Sequence, residues 1–161
     1  MQITHDLNSK KLWLSQQKYV ERLLERYNMK ENKQVSSPLG DHFKLSRKCC
    51  FTLDEKKKKM KNIPYSSVVG SLMYVMVCIR PNIAHAVEVV SRFLSNLGKE
   101  HWKVVKWIFK YLKGSLSTCL CFGGAQIVFE GFTDADMIGD IDNRRSTLGY
   151  LITFVRGAVS W

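Results

Sequence analysis

The sequence predicts a mixed α+β fold in which a helical cluster precedes a small antiparallel sheet. In residues 15–27 and 65–113, apolar side chains recur at three- and four-residue spacing, which is typical of amphipathic helices. From Ser117 onwards the pattern becomes strand-like, with short apolar runs separated by turn residues. The chain has 161 residues, 45% of them hydrophobic, which is enough for one ordinary domain or two small ones.

The first residues predict a hairpin followed by a helix. Residues 1–3 and 11–14 have the character of strands, and the polar stretch 5–10 that separates them predicts a turn. Because the chain starts inside this hairpin, we expect that a preceding segment belongs to it. Ser15 is a good N-cap for the helix that follows. The apolar face predicted for this helix consists of Tyr19, Val20, Leu23, Leu24 and Tyr27.

A long connection, residues 31–63, separates this helix from three more. Pro38 and Gly40 interrupt any regular element here, and the lysine run 56–59 is interpreted as a solvated loop or helix start. The three helices are predicted at Tyr65–Val77, at Pro81–Leu94 and at Lys99–Lys113, with Gly114 as the C′ residue of the third.

The third of these helices carries a distinctive charge pattern. Trp102, Val105, Phe109 and Leu112 have the spacing of a buried face. Five lysines repeat at the same spacing on another side of the helix: Lys99, Lys103, Lys106, Lys110 and Lys113. Such a stripe of ammonium groups can follow a phosphate backbone without reading its sequence. The alternative is an ordinary solvated face, although ordinary faces mix both signs of charge and only Glu100 interrupts this one.

Charge is unevenly distributed along the chain. The net charge is +11, which favours polyanionic partners such as nucleic acid, although a basic surface can also be merely solvated. Residues 131–161 carry four aspartates and three arginines, whereas the first 130 residues hold 22 basic and ten acidic side chains. This asymmetry predicts two zones with different electrostatic roles.

Cysteine usage and hydropathy favour an intracellular location, in the cytoplasm or nucleus. The five cysteines form no CxxC pair, and the histidines do not complete a zinc site, so reduced thiols are expected. Residues 1–11 lack the apolar stretch of a signal peptide. The longest apolar-rich run, Val68–Ile79, is too short to span a bilayer, and neither a membrane partner nor a small-molecule substrate is indicated.

The last third of the chain predicts four strands and one candidate catalytic residue. The strands are expected at 119–122, 126–132, 147–155 and from 158 onwards, with Arg156-Gly157 as a tight turn. Asp134 is expected at the end of the second strand, before a polar loop. A carboxylate in that place can bind a divalent cation, but Asp is also common as a turn residue.

Several sequence blocks resemble, in order and spacing, the Pol polyproteins of copia-type LTR retrotransposons. The blocks are Tyr65–Tyr74, Arg80–Ala84, His101–Trp107, Tyr111–Gly114, Gly131–Asp136, Gly139–Asp140, Arg144–Thr147 and Gly149–Tyr150. Together they are specific, and the resemblance covers essentially the whole chain. Four residues depart from the usual pattern: Ile79, Asn82, Ile138 and Arg156.

The resemblance implies a layout and a parent activity, RNA-directed DNA polymerase with ribonuclease H. Residues 1–30 are similar to the end of the polymerase palm, and residues 64–116 are similar to the helical thumb and connection. Residues 117–161 are similar to the first strands of a ribonuclease H-like sheet, which we expect to be truncated. The thumb implies non-specific binding of an RNA–DNA hybrid or duplex. Asp134 is similar to the first metal-binding aspartate of ribonuclease H, which implies Mg²⁺ in the parent enzyme.

The resemblance also implies that the catalytic sites are incomplete here. In the family the polymerase aspartates precede the segment similar to this chain, and further ribonuclease H carboxylates follow it. A pair of Mg²⁺ ions about 4 Å apart needs several carboxylates, and Asp134 alone cannot hold both ions. Asp136, Asp140 and Asp142 follow a loop pattern in the family and are not obvious substitutes. We therefore expect no catalysis by this chain alone, and a marginal, aggregation-prone segment from residue 118 onwards.

Three hypotheses follow from the sequence. The first is a Pol fragment with residual affinity for nucleic-acid duplexes. The second is a stand-alone interaction protein, such as a secreted effector-like or domesticated remnant, although the sequence contains no Arg-x-Leu-Arg tetrapeptide. The third is a nuclease whose site another chain completes.

Overall fold

The computed structural model describes residues 1–40, 42–43, 45–46, 63–95, 97–124, 127–140, 142 and 145–161. The chain forms two compact units. The helical unit is residues 18–116, and the sheet unit combines residues 1–17 with 117–161. Residues 1–30, which the resemblance implies to be one region, are thus divided between the two units. In the described residues, no helix combines the length and apolar character needed to cross a membrane.

In its described residues, the helical unit contains four α-helices and one 3₁₀ turn. They are α1 (Gln17–Arg26), α2 (Tyr65–Ile79), the 3₁₀ turn Pro81–Ile83, α3 (Ala84–Ser91) and α4 (Lys99–Gly114). Their positions confirm the predicted helices. Just before α1, the Ser15 hydroxyl accepts a hydrogen bond from the Gln17 amide at 3.2 Å, as expected of a capping serine.

The core of the helical unit is built from one apolar face of each helix. In α1 the buried residues are Val20, Leu23 and Leu24. Helix α2 is buried along most of its length, and α3 contributes Val87 and Val90. The buried face of α4 is wider than predicted, because Val104 and Ile108 join Val105, Phe109 and Leu112. Trp102 is only half-buried.

Two helix ends differ from the sequence prediction. The second predicted helix opens as the 3₁₀ turn at Pro81 and its α-helical part ends at Ser91, so Leu94 is exposed instead of packed. Gly114 is the last residue of α4 and not the C′ residue. The backbone amide of Ser115 closes this helix by donating to the carbonyls of Tyr111 and Leu112.

Part of the predicted connection packs against the helical core. Leu39, Phe43, Leu45 and Ile63 are partly buried against it. The indole N–H of Trp107 in α4 donates to the Ser37 carbonyl at 3.0 Å, and the ammonium of Lys113 donates to the Asn32 carbonyl at 2.9 Å. The lysine run 56–59 lies outside the described residues.

In its described residues, the sheet unit forms two three-stranded antiparallel sheets. The first has the order β1-β2-β3, with β1 (Gln2–Asp6), β2 (Lys11–Ser15) and β3 (Leu120–Gly123). The second has the order β4-β5-β6, with β4 (Phe129–Asp140), β5 (Arg145–Phe154) and β6 (Gly157–Ser160). The fold is therefore mixed α+β, as the sequence predicted.

The hairpin turn between β1 and β2 is shorter than predicted because His5 and Asp6 belong to β1. The carboxylate of Asp6 organises the turn by accepting hydrogen bonds from the Ser9 hydroxyl at 2.7 Å and from the Asn8 amide at 2.9 Å. These bonds, led by that of the Ser9 side chain, lower the pKa of Asp6. Local hydrogen bonding thus fixes the register of β1 on β2.

The turn between β5 and β6 is displaced by one residue from the prediction. Its two residues are Val155 and Arg156, both with positive φ, at 48° and 65°. Positive φ at both positions suits the right-handed twist of a two-residue hairpin but is unfavourable for side chains with a Cβ. Gly157 instead starts β6, where the residue is buried against Phe122 of β3.

Candidate nucleic-acid interface

The lysine stripe predicted from the sequence lies on the side of α4 opposite its buried face. At 3.6 residues per turn, Lys99, Lys103, Lys106, Lys110 and Lys113 fall on one side of the helix. His101, Val104, Val105, Ile108, Phe109 and Leu112 fall on the other side and are buried. Burial of the apolar face therefore orients the whole row of lysines outwards.

The five lysines are not equivalent, because two of them have partners within the chain. Lys103 donates to the Glu100 carboxylate at 2.7 Å, one turn away. Lys113 is held by the Asn32 carbonyl. Lys99 and Lys106 are exposed and Lys110 is half-buried, and none of these three has a hydrogen-bond or ion-pair partner among the described residues. These three ammonium groups are the ones available to an anionic ligand.

One flank of the stripe is fixed by an aromatic cluster. The Trp107 ring packs edge-on against His42 and Phe43, with ring centroids 5.2 and 5.4 Å apart. Beside it, a shallow groove of about 590 Å³ is lined by Gln34, Val35, Ser36, Trp107 and Gly114. The segment before α2 thus braces the C-terminal half of α4.

The start of α4 is capped by a buried histidine. His101 is fully buried, and its Nδ1 accepts a hydrogen bond from the Gly98 amide at 2.9 Å. Its ring stacks on Phe93 with the centroids 4.1 Å apart. A side chain at this third helical position that reaches back to the N-cap amide is half of a capping box. This capping role of His101 was not predicted from the sequence.

The end of α4 is held by a buried arginine. Arg80 is fully buried. Its Nη1 donates to the Ser115 hydroxyl at 3.1 Å, and its Nη2 donates to the carbonyls of Ser115 at 2.7 Å and Leu116 at 3.4 Å. Two residues later, the Asn82 amide donates to the Tyr111 hydroxyl. This role of Arg80 was not predicted from the sequence, although an arginine between two apolar helical runs is a signal of a buried contact.

Asp134 is not at the end of a strand, and this part of the prediction is wrong. It lies in the middle of β4, which continues to Asp140, and it pairs with Gly149 of β5. The predicted polar loop is shorter because backbone pairing continues through Asp136 and Thr147. The Asp134 side chain is exposed.

The described side chains around Asp134 do not by themselves form a two-magnesium site, and the side chains of Asp136 and Asp140 lie outside the described ones. The residue paired with Asp134 is a glycine, which has no side chain that could bind an ion. No group of three or more His, Cys, Asp or Glu side chains able to hold a metal ion occurs in the described part of the chain. A lone carboxylate binds Mg²⁺ only weakly, because this ion keeps most of its water ligands.

Comparison with known proteins shows related sequences in transposons. The chain is 63% identical over all its 161 residues to the retrovirus-related Pol polyprotein from transposon TNT 1-94 of Nicotiana tabacum, and spans 12% of that protein. It is 34% identical over 151 residues to the corresponding polyprotein from transposon RE1 of Arabidopsis thaliana, and spans 10% of it.

A shorter relative also matches. The chain is 46% identical over 105 residues to the secreted RxLR effector protein 161 of Plasmopara viticola. The match covers 63% of this chain and 72% of that protein. No known family model matches the chain. No solved structure matches it either.

The similarity to the transposon polyproteins extends over both compact units. It covers the full length of the chain in the tobacco protein and 93% of the chain in the Arabidopsis protein. The chain thus corresponds to about an eighth or less of these relatives. The chain is therefore related along its full length to a segment of the retrovirus-related Pol polyproteins from transposons.

Proposed function

We propose that this chain is a nucleic-acid-binding segment of a copia-type Pol polyprotein and that α4 holds the phosphate backbone of an RNA–DNA hybrid. The observation that carries the proposal is the outward row of Lys99, Lys106 and Lys110, whose ammonium groups have no partner among the described residues. In this assignment the helical unit corresponds to the thumb and connection of a reverse transcriptase, and the later strands correspond to the start of its ribonuclease H domain.

The physical basis of the proposed binding is electrostatic. Each lysine that neutralises a phosphate releases condensed counterions, and this release favours binding without any base contact. At a rise of about 1.5 Å per residue, Lys99 and Lys106 lie about 10 Å apart along the helix axis and Lys106 and Lys110 about 6 Å apart, so one helix can contact several phosphates of a strand. The proposed binding is therefore insensitive to base sequence and strongly dependent on salt.

We further propose that the chain by itself binds nucleic acid without cleaving or extending it. The exposed position of Asp134 in mid-strand, opposite Gly149, supports this proposal. Polymerase and ribonuclease H activities then belong to the longer polyprotein, with Mg²⁺ as its cofactor. The proposal predicts no Mg²⁺-dependent loss of a labelled RNA–DNA hybrid. Mg²⁺-dependent cleavage that Asp134→Asn abolishes would overturn it.

The binding proposal is tested by removing two lysines of the stripe. In the double variant Lys106→Gln, Lys110→Gln, two phosphate contacts are lost. The slope of log K against log salt for a short RNA–DNA hybrid should therefore fall by about 1.5 to 2. Fluorescence anisotropy at several salt concentrations measures this slope. The expected loss of affinity at low salt is at least about tenfold, because each contact contributes through counterion release.

A second double variant provides the control. Lys10→Gln, Lys18→Gln removes the same net charge from two exposed lysines that are not part of α4. It should leave the slope within the error of the wild-type value. If both double variants lowered the slope equally, net charge and not the stripe would account for binding. If the wild-type chain showed no salt-dependent binding, the proposed function would be wrong.

A second candidate function is a stand-alone interaction protein. The observation that favours it is the 46% identity to a protein named as a secreted effector, 72% of whose length the match covers. In this case the chain would act through a protein partner, and the stripe would be a solvated face. Fractionation of a tagged chain distinguishes the candidates. Recovery from the medium, together with absent hybrid binding, would favour the effector-like role, whereas retention in cells with salt-dependent hybrid binding would contradict it.

A further inference from the structure

The turn between α2 and α3 reaches the far end of α4 through two side chains. Arg80 directly follows α2, and its guanidinium donates to the Ser115 hydroxyl and to the carbonyls of Ser115 and Leu116. Asn82 donates to the hydroxyl of Tyr111. The two anchors therefore grip α4 and the residues just after it over a span of six residues. Lys110 lies immediately before this span.

The chemistry of Arg80 suits the end of a helix. The last carbonyls of a helix have no partner within the helix, and the helix dipole places partial negative charge there. A guanidinium can donate to several acceptors in a fixed geometry, whereas a lysine ammonium is a compact charge on a flexible stem. Because Arg80 is fully buried, its bonds to Ser115 are shielded from competing water.

We propose that Arg80 is a positioning residue for the lysine stripe, with Asn82 as its auxiliary. This inference rests on the proposed binding of an RNA–DNA hybrid. Helix ends fray, and a frayed last turn of α4 would let Lys110 leave the row that Lys99 and Lys106 define. By fixing Tyr111 and Ser115, the turn keeps Lys110 in register with the other two lysines, so that all three meet one phosphate backbone.

The inference is tested by Arg80→Ala in the whole 161-residue chain. Two measurements are made at a temperature where the variant is folded. The first is hydrogen exchange of the amides of α4 and of the two residues after it, where exchange should accelerate at 110–116 and remain near wild type at 102–106. The second is the salt dependence of hybrid binding, whose slope should fall by about 0.7 to 0.9 because one phosphate contact is lost.

Control variants separate positioning from general destabilisation. Val87→Ala truncates a fully buried side chain of α3 and lowers stability through the core. At matched stability it should change neither the binding slope nor the contrast in exchange between the two ends of α4. Arg80→Lys keeps the positive charge but lacks the planar set of N–H donors of the guanidinium. It should therefore recover only part of the salt slope of hybrid binding. Should Arg80→Ala fail to fold, Ser115→Ala removes one acceptor and should shift exchange and slope in the same direction.

The outcomes distinguish this inference from the proposed function on which it rests. If the wild-type chain does not bind the hybrid, the proposed function is wrong, and the positioning role is overturned with it. If the wild-type chain binds and Arg80→Ala keeps the wild-type slope, only the positioning role is overturned. In Arg80→Ala, faster hydrogen exchange confined to residues 110–116 together with a reduced salt slope supports the positioning role. An equal effect of Val87→Ala on the slope would overturn it.

Discussion

The helical unit and the sheet unit bury their apolar residues to very different extents. Every residue of the large buried core cluster lies within residues 18–116, and Leu72 and Phe109 are almost completely inaccessible. In the sheet unit, by contrast, Phe129 is 70% exposed and Leu148 is 73% exposed. Both units contain many apolar side chains, so composition alone does not produce a core.

The difference in burial depends on whether the apolar face of each helix or sheet packs against another element of the same unit. In the helical unit, the described helices each turn an apolar face towards the others, which buries these faces. In β4 and β5, register places Phe129, Leu148, Tyr150 and Ile152 on one face of the sheet, and that face remains exposed. The sheet unit therefore depends more on strand pairing and on a few close contacts, such as that of Gly157 with Phe122.

The largest expected effect is the loss of a core leucine. Leu72→Ala should lower the free energy of unfolding by about 2–5 kcal/mol, since it removes a fully buried side chain and leaves a cavity. Leu148→Ala deletes the same atoms from a side chain that is 73% exposed, and should change that free energy by no more than about 0.5 kcal/mol. Urea unfolding followed by circular dichroism measures both. Equal losses would refute the contrast between the units.

The second effect concerns the close contact inside the sheet unit. In Gly157→Ala, the new Cβ would lie 2.3 Å from a ring carbon of Phe122 and 2.9 Å from the Cys121 carbonyl oxygen. Overpacking of this kind costs about 1–3 kcal/mol. Gly131→Ala, in β4, is the matched control, because its Cβ would meet nothing within 4 Å. Thermal unfolding with exchange of the β6 amides should show destabilisation only in Gly157→Ala. If both variants behaved alike, the close approach of β3 and β6 would be wrong.

The sequence predicted the helices, the lysine stripe and the mixed fold because each depends on a local periodicity. Three-four spacing identified α1, α2 and α4, and the same spacing placed the lysines on one side of α4. The ribonuclease H-like character of the sheet, the assignment of the regions to parts of a reverse transcriptase and the incomplete metal site remain predictions. They concern the parent polyprotein, of which the chain spans 12% in the tobacco relative.

What the sequence did not predict depends on contacts between distant residues. Arg80 and Ser115 are 35 positions apart, so no periodic pattern connects them. Asp134 was expected at the end of a strand because its neighbours are polar, but pairing with β5 extends the strand past it. The turn at Val155-Arg156 was placed one residue too late because Gly157 looked like a turn residue, whereas it is the small residue required against Phe122.

The smallest effect is expected at that turn and would strengthen the weaker unit. Arg156 has φ 65°, where a Cβ costs about 1–2 kcal/mol, and glycine avoids this cost. Arg156→Gly should therefore raise the free energy of unfolding by about 0.5–1 kcal/mol, after the greater freedom of glycine in the unfolded chain is taken into account. Thermal unfolding measures the gain.

Arg156→Ala separates backbone strain from side-chain effects, because alanine shortens the side chain but keeps the Cβ. It should give no comparable gain. Equal stabilisation by alanine and glycine would mean that the arginine side chain, and not the positive φ, is unfavourable. The stability of the β5–β6 hairpin would then be limited by side-chain contacts and not by the backbone geometry of its turn.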